Sequence, residues 1–424
     1  MEQIGNYSNS LNSNKKLKLL FLLLCIYLAT SPVYWLPSVP YTMFKPIKIA
    51  IISLVIIIFL WKFFISRYRK LELPYLLSFP IIVLIILLLP FLYVSVDSGK
   101  GLGESFNYYL NILFGFLTAL MVYNNYNLFS TKKWLYIIPF ITVVLISIPP
   151  FTNFVFNYPE WKVPVKAENY FDEFLWYSGF NFSRTGWSVS LSLFVPLALL
   201  VFNEKKKLKS THFLLFIILI SPIIAAQAVS GGRGGLLASL ISVFILFIIY
   251  FGAKYLVLFI FAAYMIAKEF KEDIFIAMRI YDVSGKSNTI EDISSYRLSQ
   301  FRFFDEIVLE QPLFGWGFKG SEAGILKYTG NAFEMHNSTL RVVIDHGIIF
   351  GTIIAVILFS ILYISFVLLK NKKTPRIVHV NSCILISVLV ASMFEPNVIF
   401  GGFQLCAFWW VALGYNLKYY KLNF

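Results

Sequence analysis

Four side chains that are or can become cationic stand beside the starts of apolar segments. Arg184 lies in FNFSRTGW, Arg233 lies in VSGGRGGLL, and His336 and Arg341 lie in HNSTLRVVIDHGIIFG. A helix N-terminus carries partial positive charge and free N–H groups, so a cationic side chain beside it completes a site suited to an anion. The pattern predicts a site for a multiply charged anion, and a lipid-linked diphosphate fits that description.

The glycines that flank Arg233 are consistent with the same site. Gly232 and Gly234 would let the backbone approach an anion closely or form a nest of N–H donors. The Gly-Gly-Arg-Gly-Gly run is also typical of a tight hairpin between two helices, with Arg233 reaching lipid headgroup phosphates. Both interpretations stay open at the level of sequence.

The composition places these residues in a membrane protein. The 424 residues are 58% hydrophobic and 14% charged, with a mean hydropathy of +0.73. A soluble domain this apolar would expose large apolar patches. No repeat or soluble linker is evident, so we interpret residues 1–424 as a single integral membrane domain. The first apolar run superficially resembles a signal peptide, but many spans follow it, and we interpret it as a retained helix.

The apolar runs predict an all-α polytopic membrane helix bundle of about twelve transmembrane helices, because about 20 helical residues cross the hydrocarbon layer. The predicted spans lie at about 17–36, 46–65, 73–94, 105–129, 134–152, 184–202, 212–229, 236–251, 254–268, 338–369, 377–400 and 402–418. The cysteines, Cys25, Cys383 and Cys406, lie within apolar spans and lack metal-ligand spacing. We expect neither a metal site nor a cofactor.

The distribution of lysine and arginine orients the predicted bundle. With both termini in the cytoplasm, every basic cluster between the spans falls on the cytoplasmic side, as the positive-inside rule requires. Topology thus accounts for the net charge of +14, and no nucleic-acid partner is needed. The same orientation places two sizeable loops, 153–183 and 268–336, on the extracytoplasmic side, together with Arg184, Arg233 and His336.

The loop 268–336 contains a predicted amphipathic helix. In ISSYRLSQFRFFDEIVLEQ, Phe301, Phe304 and Val308 recur at helical spacing, and a Pro-Leu-Phe-Gly-Trp-Gly turn follows. We expect this helix to lie on the outer surface and to face the membrane or the helix bundle. Arg297 shares the face of Phe301 and Phe304, which is unusual for a charge that is simply solvated.

These strings, in this order, resemble elements of the O-antigen ligase and polymerase superfamily of bacterial membrane glycosyltransferases. SGGRGG resembles its short Arg-Gly element, and SYRLSQFRFFDEIVLEQPLFGWGF resembles its arginine-led helix and Gly-x-Gly turn, with Arg297 on the family arginine. HNSTLRVVIDHGIIFG resembles its His-Asn segment, with His336 on the family histidine. Arg184 resembles a looser arginine element. The resemblance extends over residues 170–355 in pattern and over the chain in topology.

The resemblance implies glycan transfer at the outer leaflet of the bacterial cytoplasmic (inner) membrane. The donor would be a glycan on undecaprenyl diphosphate, and the reaction would be metal-independent with inversion at the sugar. Phe301 stands where tryptophan is common, and the segment from Arg341 to Asp345 stands where many ligases have a glutamate. That departure favours a polymerase of repeat units over a ligase that transfers the glycan to lipid A-core. By resemblance alone, a chain-length regulator in the same membrane is a partner.

The residue types suit such a reaction. Arg233 and Arg297, supported by Arg184, would bind the diphosphate and stabilise the charge that develops on it. His336 would act as general base for the incoming sugar hydroxyl or would orient that hydroxyl. The remaining candidates for the substrate-binding surface are Asn337, Arg341, Gly232 and Gly234.

A polysaccharide-lipid flippase is the alternative from a different class, because about twelve helices and a chain of this length also suit transporters. Transporters commonly carry internal repeats and charged residues deep within their spans. Here the polar residues gather at the outer ends of the predicted spans, which favours the enzyme.

Overall fold

The structure is a computed structural model, and its regular secondary structure is helical throughout the described residues. The described residues are 19–31, 41–65, 72, 102–156, 184–202, 208, 210–269, 271, 297–317, 320–330, 335–395, 399 and 403–424. These ranges contain no β-strand, in agreement with the predicted all-α class. The predicted span at 73–94, residues 157–183 of the first loop and residues 272–296 of the second lie outside the described residues.

Most of the predicted apolar segments are helical in the structure. The first part of the chain forms α1 (Leu19–Thr30), α2 (Tyr41–Ile65), α3 (Leu102–Asn124), α4 (Tyr126–Thr131), α5 (Trp134–Phe156), α6 (Arg184–Ser192), α7 (Ser210–Val229), α8 (Arg233–Leu246) and α9 (Ala253–Glu269). A 3₁₀ turn, Val195–Val201, follows α6, and a π turn, Phe247–Phe251, extends α8. The second part forms α10 (Arg297–Arg302), α11 (Phe304–Glu310), α12 (Gly320–Thr329), α13 (Ser338–Lys370), α14 (Arg376–Ser392) and α15 (Phe403–Asn423).

Three described helices are long and apolar enough to cross a membrane. They are α7, α8 together with its π turn, and α13, with mean hydropathies of 2.2, 2.4 and 2.8 over the most apolar window of each. Helices α1, α14 and the central part of α2 are apolar but shorter. These features indicate a membrane protein, whereas a bundle of twelve spans stays a prediction.

Two predicted helices are interrupted. The predicted span 184–202 becomes α6 and the 3₁₀ turn, in which Pro196 has no N–H to donate to an α-helical ladder. The predicted amphipathic helix becomes α10 and α11, which meet at Phe303, a residue outside the helical region of backbone angles. Val308 on α11 is buried, whereas Phe301 on α10 is exposed. The apolar residues of the predicted amphipathic helix are therefore only partly buried.

The helices pack around one main hydrophobic core, with a smaller core beside it. In the main core α14 packs on α8, α13 and α15, and α3 packs on α15. Residues 297–317 and 320–330, which form α10 to α12 and the turns between them, make up the cap segment. The smaller core joins the cap segment to the start of α13 through five buried side chains, Ile307, Val308, Ile325, Met335 and Ile344.

The cap segment is attached at a kink in α13. Gly347 has φ 85° and ψ 170°, which interrupts the helix and frees backbone groups on either side of it. The freed groups bond to the turn after α11: Trp316 N–H donates to the Ile344 carbonyl (2.8 Å), and Ile348 N–H donates to the Pro312 carbonyl (2.8 Å). A Cβ at position 347 would overlap the backbone of that turn, so the contact requires glycine.

A buried ion pair reinforces the same attachment. Arg341 Nε lies 3.2 Å from Asp345 Oδ2, one turn away on α13, and the two side chains are 2% and 3% exposed. The other carboxylate oxygen of Asp345 accepts from the Ser321 N–H (2.9 Å) at the start of α12. The Asp345 carbonyl accepts from the Gly317 N–H (2.9 Å). Asp345 therefore links α13 to two points of the cap segment.

Replacing Asp345 by asparagine should destabilise the protein by about 3–5 kcal/mol, because it deprives the buried Arg341 guanidinium of its carboxylate. The double variant Arg341→Met/Asp345→Asn should recover part of that loss. Unfolding of the purified protein in detergent measures both effects. Glu310→Gln, which breaks the exposed ion pair with Lys327, is the control and should leave the Tm nearly unchanged. Equal losses in Asp345→Asn and Glu310→Gln would contradict this account.

Candidate functional site

A charged cluster forms where the start of α8, the start of α10 and the end of α14 meet. Arg297 Nη2 lies 3.4 Å from Glu395 Oε1, and the two side chains are 16% and 14% exposed. Arg233, the first residue of α8, interacts electrostatically with both Arg297 and Glu395. These three residues, far apart in the sequence, make up the arginine cluster.

The arginine cluster carries more positive than negative charge. Burial lowers the pKa of the Arg297 guanidinium, while the nearby Glu395 carboxylate acts in the opposite direction. A guanidinium keeps its proton at physiological pH even so. Two guanidinium groups therefore face one carboxylate within the cluster, and an additional anion would offset the repulsion between them.

His336 is held beside this cluster by α10. Its backbone N–H donates to Gln300 Oε1 (3.1 Å), and Gln300 lies one turn after Arg297 on α10. The next residue, Asn337, is the N-cap of α13, and its Oδ1 accepts from the N–H groups of Thr339 and Leu340 (3.0 Å each). The cap is one that helix starts commonly use. His336 therefore stands directly before a helix N-terminus.

The start of α13 is also tied to the turn that ends α14. Ser338 Oγ donates to the Glu395 carbonyl (2.7 Å), and Asn337 Nδ2 donates to the Met393 carbonyl (3.4 Å). Glu395 thus contacts α13 through its backbone and α10 through its carboxylate. Because of these two contacts, His336 and Arg297 occupy fixed places relative to one another.

The start of α8 brings Arg233 to the cluster through close packing of glycines. Gly231 has φ 63°, and Arg233 N–H donates to the Gly231 carbonyl (3.1 Å), which turns the chain into α8. A Cβ on Gly234 would lie 3.0 Å from Phe394 Cβ, and one on Gly235 would overlap the backbone of α6. Arg233 is therefore carried on a helix start that lies against both α6 and the turn at Phe394.

Gly232 and Gly234 have a packing role in the structure. The Gly232 carbonyl accepts from Ser188 Oγ (2.6 Å) on α6, and Gly234 faces Phe394, the residue before Glu395. Close packing thus accounts for a small residue at position 234, whereas Gly232 makes its contact through its carbonyl, which does not depend on side-chain size. Their predicted contact with an anion stays a prediction.

The remaining predicted site residues are Arg184, Arg341 and Asn337. Arg184 is the first residue of α6, one turn before Ser188, and its side chain lies outside the described part of the structure. Arg341 is buried in its ion pair with Asp345, so its placement gives no support to the prediction that it binds substrate. Asn337 uses its amide to cap α13 and to bond the turn at Met393.

Sequence reasoning missed Glu395 and Gln300. Glu395 lies near the end of a predicted span, and a carboxylate inside an apolar run is costly enough to mark a functional or structural role. Gln300 lies three residues after Arg297, a spacing that puts both on one helix face. That spacing alone is too common to have singled it out.

Comparison with known proteins assigns the chain to no family, since no protein-family model and no curated protein matches it. Within the described residues, no group of three or more His, Cys, Asp or Glu side chains could hold a metal ion. Metal independence stays a prediction. The geometry of the arginine cluster and His336 is therefore the basis for a functional proposal.

Replacing Arg297 by alanine should weaken binding of inorganic pyrophosphate to the purified protein by about 10–100-fold, because it removes a charge-assisted hydrogen-bond donor. Calorimetry or competition with a labelled anion measures this affinity. Arg302→Ala is the matched control, since Arg302 is an exposed arginine on the same helix. If Arg302→Ala weakens binding as much as Arg297→Ala does, nonspecific surface charge explains the binding and the site assignment fails.

Proposed function

We propose that the chain is a membrane glycosyltransferase that polymerises undecaprenyl-diphosphate-linked oligosaccharide repeat units into a surface polysaccharide. It acts at the outer face of the bacterial cytoplasmic membrane. One observation carries the proposal: Arg233 and Arg297 share a cluster with Glu395, and His336 stands next to that cluster at the start of α13. This combination offers an anion site and a proton acceptor in one place.

The arginines bind the diphosphate of the donor. The guanidinium fork of Arg297 matches phosphate oxygens, and Arg233 adds a second positive charge beside it. As the glycosidic bond breaks, negative charge grows on the departing diphosphate, and fixed positive charges stabilise that state more than the ground state. Loss of one such donor costs about 10²–10³ in rate.

His336 accepts the proton of the attacking hydroxyl. The hydroxyl oxygen of the acceptor sugar forms a bond to the anomeric carbon of the donor glycan, and the bond from that carbon to the phosphate oxygen breaks. The hydroxyl proton passes to the imidazole of His336, because imidazole is the side chain that most often serves as a general base. The carrier departs as undecaprenyl diphosphate. Because the attack comes from the side opposite the leaving group, configuration at the anomeric carbon inverts.

Glu395 positions Arg297 and the start of α13. Its carboxylate orients Arg297, and its carbonyl accepts from Ser338, two residues after His336. Arg341 and Asp345 act at a greater distance, since they fasten the cap segment, which carries Arg297, to α13. Glu395, Arg341 and Asp345 therefore act by positioning other residues and do not contact the substrate in this proposal.

The placement of charge favours an enzyme over a flippase. Arg233 begins α8 and His336 precedes the N-cap of α13, so both lie at the ends of membrane-capable helices. Charged groups that serve transport are typically found deeper within the spans. A ligase would use the same donor and differ in its acceptor, so product analysis must separate it from a polymerase.

Replacing His336 by alanine should abolish long surface chains in a deletion strain that carries the variant, while the protein accumulates and inserts normally. The strain should still attach single repeat units to their final acceptor. The glycan pattern on a gel and the abundance of the protein in membranes measure these effects. His212→Ala, which alters a histidine on α7, should leave the chains intact.

Other outcomes contradict parts of the proposal. Long chains that remain on the lipid carrier would show a ligase instead of a polymerase. Long chains of normal abundance in the His336→Ala strain would remove His336 from the mechanism and return the flippase to consideration.

A further inference from the structure

Gln300 lies between the arginine cluster and His336. It is 1% exposed, and its Oε1 accepts from the His336 backbone N–H at 3.1 Å. A backbone N–H requires an acceptor, so this contact fixes the orientation of the amide. The oxygen of the amide points toward His336, and Nε2 points elsewhere.

Two buried donors on α10 have no hydrogen-bond acceptor among the described residues: Nε2 of Gln300 and Nε of Arg297. Such groups are uncommon in native structures because an unsatisfied buried donor loses its bonds to water without compensation. The two residues are three positions apart on one helix and so share a face. A substrate oxygen bound beside Arg297 and His336 would accept a hydrogen bond from such a buried donor.

We propose that Gln300 contacts the substrate, donating from Nε2 to a hydroxyl or amide oxygen of a sugar next to the reacting bond. This inference rests on the proposed function. A neutral amide suits an uncharged sugar oxygen, whereas the guanidinium groups suit the diphosphate. Gln300 therefore recognises the glycan, Arg233 and Arg297 recognise the carrier, and the Oε1 contact keeps His336 beside the recognised sugar.

The test uses the full chain in lipid vesicles, with lipid-linked repeat units extracted from the deletion strain as substrate. Gln300→Met should raise the KM for these units about 5–10-fold, as expected for the loss of one hydrogen bond. Inhibition by undecaprenyl diphosphate without a sugar should stay at the wild-type level, because that molecule lacks the recognised group. Arg297→Lys, in contrast, should weaken both substrate and inhibitor.

Two further variants separate substrate contact from the positioning of His336. Gln300→Glu keeps an acceptor for the His336 N–H and, when ionised, has no donor, so it should also raise the KM. Gln311→Met makes the same chemical change as Gln300→Met at an exposed position after α11 and should behave as wild type. Since Gln300→Glu retains the contact to His336, it also serves if Gln300→Met fails to accumulate.

The sugar can belong to the donor chain or to the acceptor unit. Varying single repeat units against a fixed amount of extended chains, and then the reverse, shows which KM changes and so which of the two carries the recognised oxygen. A wild-type KM in Gln300→Glu would overturn the proposal, because the residue would then serve only to hold His336. A parallel loss of carrier inhibition in Gln300→Met would also overturn it. A wild-type protein that extends no units would refute the proposed function, and the inference with it.

Discussion

The contact between Arg297 and Glu395 is the interaction on which the site depends. Two arginines that lie close together and partly buried repel each other, and the repulsion is stronger there than in water. The Glu395 carboxylate offsets part of that repulsion because it interacts with both arginines, and the Glu395 carbonyl accepts a hydrogen bond from the start of α13. One residue thus brings together α8, α10, α13 and the end of α14, and it leaves positive charge for an anion.

A second set of contacts, at the kink in α13, fixes the position of the cap segment. A straight α13 would use the Ile344 carbonyl and the Ile348 N–H for its own ladder, but the kink at Gly347 gives both to the turn after α11. The buried pair of Arg341 and Asp345 adds charge-assisted bonds at the same place. Because α10 belongs to the cap segment, these contacts determine where Arg297 and Gln300 stand relative to His336.

The sequence predicted long apolar helices well, because periodicity and length leave few alternatives: α7, α9 and α13 lie within two residues of their predicted bounds. It also pointed to Arg233 and His336 at the starts of apolar segments and to Arg297 on the apolar face of a predicted helix, and their roles stay predictions. Arg341 was assigned to the substrate although Asp345, its partner in the structure, lies four residues on along the same helix; the spacing alone does not show that the pair is buried against the cap segment. Glu395 stands out as a carboxylate in an apolar run, but its pairing with Arg297 across the fold leaves no local pattern. The described helices do not establish twelve spans.

The central claim is that one anion occupies both arginines of the cluster, and a double-mutant cycle on pyrophosphate binding tests it most directly. The affinities of the wild type, Arg233→Ala, Arg297→Ala and the double variant are measured under one salt condition. If both side chains hold the same diphosphate, the loss in the double variant should differ from the product of the single losses by about threefold or more. Losses that simply multiply, or single variants that bind as the wild type does, would contradict a shared site.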